Sequence, residues 1–381
     1  MGSTIDPGSL AVAATHVDAT WAPERRRVRL HAYWLRLLAA GPDRYAGVAE
    51  RWTDGANFHP DPDAAARDER IAAAEAADGG RTLRVRWEDG ATHLFAAEEL
   101  WHRAFEADPA DRVEPEPWDA RTHFPAFDHA RVMDDDDALC EFLHFFLRRG
   151  LAFLHGVPRR EKEIERVAAR LSTLQRSHLG DTFTLLWREE SRHLGETPDG
   201  IPLHIDMVYK QIPPDLQMLH VLEEAEEGGE NVFVDAFHLL SRMDPEDVRL
   251  LREVPVWFVA ESETVHFRGL HPIVVCDARG RFQGMYYNEY KMVFPVDAPA
   301  GLYHAFLRLR RLAGDPESAQ VVRLPRDSIA LFHNLRTLHA RLAFRGTRRH
   351  LEGCYLSEDD LKSRYRTLAA RAAAPAAPAA P

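Results

Sequence analysis

Apolar and basic positions alternate over Leu83-Arg84-Val85-Arg86-Trp87, the period of a half-buried strand. Glu88-Asp89-Gly90 follows as a turn, and Thr92 to Phe95 reads as the return strand. An earlier alternation runs from Val28 to Trp34. Between Gly41 and Gly80 the chain is rich in Ala, Asp and Pro, which predicts a long loop with one helix. The aromatic residues Tyr33, Trp34 and Trp87 are expected to form the core of this small β-rich unit.

Helical spacing appears next, over Asp137–Arg149 and Glu161–Leu174. The acidic run from Asp134 to Asp137 suits a helix N-terminus, where the macrodipole favours negative charge. Short β-rich runs then dominate: Leu216–Leu222, Asn231–Val234, Pro255–Val259, Pro272–Cys276, Phe282–Tyr287, Val321–Leu324, Ser328–Phe332 and His350–Tyr355. Helices at Asp244–Leu251 and Gly301–Leu312 interrupt them. Many short strands with occasional helices predict a mainly β (α+β) chain built on a double-stranded β-helix, or jelly roll, which closes most of its edges.

The expected organisation is a flexible start (1–20), a small β-rich domain (21–107), a polar Pro-containing linker (108–125), the jelly roll (126–368) and a disordered Ala/Pro tail (369–381). No internal repeat is evident.

Composition narrows the function classes. The net charge of −12 disfavours a general nucleic-acid binder, which needs a basic surface. No apolar run is long enough to span a membrane, and no secretory signal is seen. Cys140, Cys276 and Cys354 are odd in number and far apart, which fits reduced thiols in a cytoplasmic protein.

The chemistry centres on His204-Ile205-Asp206. In an extended strand, alternate side chains share a face, so His204 and Asp206 project together. With 20 His and 60 acidic residues, such a pair arises readily by chance. His339 could supply a third ligand, giving the two-imidazole, one-carboxylate set of non-haem Fe(II) oxygenases. Arg349 follows ten residues later, at the start of another apolar strand. A buried arginine there could meet the distal carboxylate of 2-oxoglutarate with a bidentate fork. Arg348 is its rival, but adjacent strand residues face opposite ways. Gln217 and His220 read as packed strand residues with internal hydrogen bonds. Asp235 reads as ordering a turn, and Gly228-Gly229 as a turn between strands.

These motifs carry a family resemblance. The stretch from His204-Ile205-Asp206 through Tyr209 and Pro213 to Gln217 and His220 resembles the γ-butyrobetaine dioxygenase branch of the taurine dioxygenase-like superfamily. So do Gly228-Gly229-Glu230, Phe233-Val234-Asp235-Ala236-Phe237, and Arg349-His350-Leu351-Glu352-Gly353-Cys354-Tyr355. His31-Ala32-Tyr33-Trp34-Leu35-Arg36 and Trp87-Glu88-Asp89-Gly90 resemble that family's N-terminal domain.

The resemblance implies an Fe(II)/2-oxoglutarate-dependent dioxygenase that hydroxylates a small cationic substrate. O2 would be the oxidant, ascorbate an activator, and succinate and CO2 the co-products. It implies iron on His204, Asp206 and His339, and 2-oxoglutarate on Arg349 with Leu219 packed nearby. Tyr355 and Asn288 would touch the substrate, with Phe183 and Tyr209 or Trp187 as further candidate walls and His193 where the family grips the substrate's carboxylate. It also suggests a homodimer. No cysteine precedes Cys140, so the family's zinc in the N-terminal domain is not expected. The aromatic cage is incomplete, and a primary-amine, amino-acid-like or phosphonate substrate fits as well as a betaine. Desaturation or cyclisation in specialised metabolism stays open. So does a non-catalytic metal-binding jelly roll, whereas a metallohydrolase would usually offer more ligands.

Overall fold

A computed structural model describes residues 4–22, 25–39, 70–105, 113–189, 194–263, 265–277 and 280–373. The chain divides into two compact units, Met1–Ala107 and Asp108–Pro381.

The first unit holds two small antiparallel sheets. One contains Thr4–Ile5, Ala11–Ala13, His16–Ala22 and Arg26–His31. The other contains Ile71–Ala77, Thr82–Trp87 and Thr92–Ala96. Ile5, Val17, Trp21, Leu30, Leu83 and Trp87 form their shared core. Several expectations need correction here. The described residues of the expected flexible start are ordered into the strands Thr4–Ile5, Ala11–Ala13 and His16–Ala22 and a short 3-10 helix, Pro7–Ser9, with Ile5, Val17 and Trp21 buried. Small Ala and Val residues fill that sheet, so few large apolar groups signalled it. The strand expected over Val28–Trp34 ends at His31 and turns into the helix Ala32–Ala39, which leaves Tyr33 exposed. Ile71–Ala77 is a strand rather than loop, while residues 40–69 lie outside the described residues.

The second unit is a jelly roll. Its larger sheet runs in the order Thr182–Leu186, His350–Leu356, Leu216–Glu223, Ser328–His333, Leu151–His155, Ala126–Asp128. All its pairs are antiparallel except the last. The smaller sheet runs Ile201–His204, Thr337–Arg341, Asn231–Asp235, Ala319–Val322. Both faces of the larger sheet are covered. Leu216, Met218, Ile329 and Leu331 pack against Phe142 and Phe146 of the helix Asp136–Arg149 and Val167 of Glu163–Leu171. Leu219, Phe332 and Leu351 point the other way and meet Phe233 of the smaller sheet. Each such fully buried side chain stabilises the fold by about 1.5–3 kcal/mol.

Glycine ends the helix Asp136–Arg149: Gly150 is left-handed at φ 67°, and a Cβ there would lie 2.6 Å from Cδ of Arg336. Residues 113–125 are not a free linker. The Trp118 indole donates to the Arg149 carbonyl (2.7 Å), and its backbone N–H donates to Asp235 Oδ2 (3.0 Å). Asp235 is also held by Arg336 Nε at 2.9 Å, an ion pair buried with Trp118. The C-terminal helix Glu358–Ala373 extends past the expected end of the domain, and residues 374–381 lie outside the described residues.

Candidate active site

The two sheets place the chemistry. Ile201–His204 pairs with Thr337–Arg341 so that His204 lies opposite His339. Asp206 follows just beyond the strand end. Its N–H donates to Asn334 Oδ1 (2.8 Å), and Asn334 Nδ2 donates back to its carbonyl (3.1 Å). His204, Asp206 and His339 each offer a ligand atom, all within 4.8 Å of one another. His204 Nε2 lies 3.2 Å and His339 Nε2 3.6 Å from the same Asp206 oxygen, Oδ1.

The donor set fits a divalent cation. His204 Nδ1 lies 2.9 Å from the Pro202 carbonyl, which can only accept, so Nδ1 carries the hydrogen. In the neutral ring, the Nε2 lone pair then faces a carboxylate oxygen. A cation between them would satisfy all three groups, and two imidazoles with one carboxylate suit iron. Charge bookkeeping agrees. Burial disfavours the Asp206 charge, but hydrogen bonds and charge from both histidines outweigh it and hold the carboxyl well below its usual range. Burial likewise opposes charging of His204, yet Asp206 raises it, while burial and the His204 charge lower His339.

These residues line a cavity of about 450 Å³. Leu219, Phe183, Tyr209, Asn288, Arg349 and Tyr355 line it too. His193 lies outside the described residues. Trp187 does not line the cavity; its backbone N–H donates to the Arg349 carbonyl (3.2 Å). Asn288 pairs with His204 through the backbone, and its Oδ1 accepts from the Tyr290 N–H (3.1 Å). Tyr209 stacks on Phe267 with ring centroids 5.5 Å apart. Burial, then the Asp206 charge, pushes the Tyr209 phenol up to about 12.

Arg349 is only 5% exposed. Its Nη1 donates to the Gly195 carbonyl (3.2 Å), and among the described residues it has no carboxylate partner. Burial, then the neighbouring Arg341 charge, pushes it down to about 9, the direction expected of a cation without its anion. Arg348 points outward, 66% exposed, and pairs with Glu226.

Some cavity residues were missed or misread. Arg341 reaches the carbonyls of Gly195, Thr197 and Asp199, tying that loop to the cavity wall. Its place two residues after His339 put it on the same strand face, which was the available signal. Asn334 grips Asp206 from 128 positions away, and no local pattern marks such a contact. Gln217 lines the cavity, and its Oε1 is buried without a hydrogen-bond partner. Neither ring nitrogen of His220 has one either, so the internal hydrogen bonds expected for these two residues are not formed there. The sheet register decides this: it sets His220 opposite Glu352, whose nearest oxygen is 4.0 Å away.

Comparison with known proteins gives a consistent picture. A family model described as "Taurine catabolism dioxygenase TauD, TfdA family" matches residues 112–355. The chain is 31% identical to a γ-butyrobetaine dioxygenase of Pseudomonas sp. (strain AK-1), over 94% of this chain and 95% of that one. It is 28% identical to a mitochondrial trimethyllysine dioxygenase of Bos taurus, over 76% and 73%. A crystal structure of the non-heme iron oxygenase OrfP with Fe and alpha-ketoglutaric acid aligns at TM-score 0.48 and 18% identity, over 59% of this chain and 80% of that one. The chain is therefore a dioxygenase that belongs to the taurine catabolism dioxygenase TauD, TfdA family.

Proposed function

We propose that this enzyme is an Fe(II)/2-oxoglutarate-dependent dioxygenase that hydroxylates an unactivated C–H bond of a small cationic substrate. The observation that carries it is the convergence of two imidazoles and one carboxylate on the wall of a cavity that also holds a buried arginine lacking an anion. His204, Asp206 and His339 hold the iron. Arg349 takes the distal carboxylate of 2-oxoglutarate, with Leu219 packed against the co-substrate. Iron with 2-oxoglutarate supplies O2 activation, one oxygen atom going to the substrate and one to succinate, with release of CO2.

The protein's own part is to bind, orient and exclude water. Phe183, Tyr209 and Tyr355 offer aromatic faces to a cation. Asn288 and His193 serve the substrate's polar end. Relatives named for γ-butyrobetaine and trimethyllysine support a cationic substrate. No described helix is long and apolar enough to cross a membrane. We further propose, from the family resemblance and the acidic composition, a cytoplasmic homodimer acting on a small molecule rather than on nucleic acid.

The test is succinate release from 2-oxoglutarate under Fe(II), ascorbate and air, for wild type and His204→Ala. Arms contain γ-butyrobetaine, trimethyllysine, a primary-amine amino acid, or no substrate. Substrate-stimulated succinate in wild type alone is the expected result. Absence of Fe(II)-dependent consumption of 2-oxoglutarate in every arm would overturn the reading.

A further inference from the structure

The two oxygens of Asp206 have different partners. Oδ1 faces both histidines. Oδ2 accepts a 2.7 Å hydrogen bond from the Tyr355 hydroxyl. This bond joins residues 149 positions apart and crosses from the larger sheet to the end of a smaller-sheet strand. It is well supported on both sides. Asn334 clamps the Asp206 backbone at N–H and carbonyl, so the carboxylate swings only about its side-chain bonds. Directly after it, Met207 adopts φ 53°, a left-handed conformation that a side chain of this size rarely takes. Such local strain persists where the surroundings hold a residue in place. The Tyr355 ring is equally fixed. It is 2% exposed and packs against Phe183 with centroids 5.3 Å apart. Phe183 in turn fits over Gly353, where a Cβ would lie 2.2 Å from its ring.

We propose that Tyr355 is a positioning residue for the metal centre, whose hydroxyl holds Oδ2 so that Asp206 ligates through Oδ1 alone. The inference rests on the iron reading above. A carboxylate free to rotate can offer both oxygens to a cation and fill two coordination positions. Anchored at Oδ2, it fills one and leaves a position for an exogenous ligand. The hydrogen bond also draws charge from the carboxylate and fixes its orientation, the usual work of groups around metal ligands. This assigns Tyr355 a role beyond offering its ring to a substrate cation.

The decisive variant is Tyr355→Phe, which keeps the ring and removes the hydroxyl. Metal-free protein is titrated anaerobically with Fe(II), and separately with Co(II), whose absorption spectrum reports coordination. Outer partners of metal ligands typically affect affinity by about 10–100-fold. We expect Tyr355→Phe to weaken binding by that factor, because the carboxylate loses its preset orientation, and to alter the Co(II) spectrum as its second oxygen takes the place of an exogenous ligand, with the metal-free melting temperature little changed. Unchanged affinity and spectrum would overturn the proposal. Phe183→Leu disturbs the ring's seat but retains the hydroxyl, and should give a smaller loss and the wild-type spectrum. An equal loss and shift in Phe183→Leu would assign the effect to packing and also overturn it. Failure of wild type itself to bind metal would fail the iron reading; wild-type binding with an unaffected Tyr355→Phe would fail only this inference.

Discussion

The larger sheet separates two clusters of histidines and carboxylates, one half-buried and one buried. On one side His204, Asp206 and His339 converge to within 4.8 Å on a cavity wall. On the opposite face of the strand Leu216–Glu223, His220 sits fully buried near Glu352, with His129 and Glu163 beyond. There the nearest pairs are 4.0 Å and 3.6 Å apart, and Glu163 is already held by Arg160 and Arg166. The residue types are the same, but only one cluster aims its donors at a common point. Convergence on an accessible cavity, rather than the presence of ligating residues, distinguishes a candidate metal centre from a structural polar cluster.

The largest expected effect comes from exchanging one histidine on each side. His204→Ala should reduce metal-dependent succinate formation to background. His220→Leu should leave it intact and hold or raise the melting temperature, because an unsatisfied buried polar ring gives way to an apolar side chain. Next comes the co-substrate arm. Arg349→Leu removes a charged hydrogen-bond donor worth about 1.5–3 kcal/mol, and should raise KM for 2-oxoglutarate about 10–100-fold. Gly353→Ala should cost about 1–3 kcal/mol in a denaturation series, since the new Cβ meets the Phe183 ring.

Acid stability sharpens the contrast further. Burial, acting against the charge of nearby Glu163, pushes His220 down to about 4, and the charges of His129 and His350 lower it too. The unfolded chain has an ordinary histidine near pH ~6.5 and takes up the proton first. Stability should therefore hold above that value and fall as pH drops through it toward 4. His220→Leu should flatten this part of a pH–melting curve. The smallest effect belongs to Arg348→Gln. Its pair with Glu226 is exposed, and both KM for 2-oxoglutarate and stability should change by less than about 1 kcal/mol equivalent.

Much of the site was legible in the chain. His204, Asp206 and His339 do converge, and Arg349 lines the same cavity, although the strand ends at His204 and Asp206 is placed by the turn that follows rather than by strand alternation. Adjacent strand residues face opposite ways, so only one of Arg348 and Arg349 could reach inward; the resemblance pointed to Arg349, and Arg349 is the buried one while Arg348 is exposed. The central strands were legible as short β-rich runs. The short strands before Ala22 were not, because small side chains in a narrow sheet give a weak apolar signal. Trp118 looked like linker because its partners Arg149 and Asp235 lie 31 and 117 positions away. The grip of Asn334 and Tyr355 on Asp206 is likewise a product of sheet register, and residue spacing does not display it.

The most direct test of the account is the metal stoichiometry of the purified chain, measured by anaerobic Fe(II) titration with 2-oxoglutarate present. The account predicts one Fe(II) per chain in wild type and in His220→Leu, and none held in His204→Ala. Full binding by His204→Ala, or loss of binding in a folded His220→Leu, would place the metal elsewhere and contradict it.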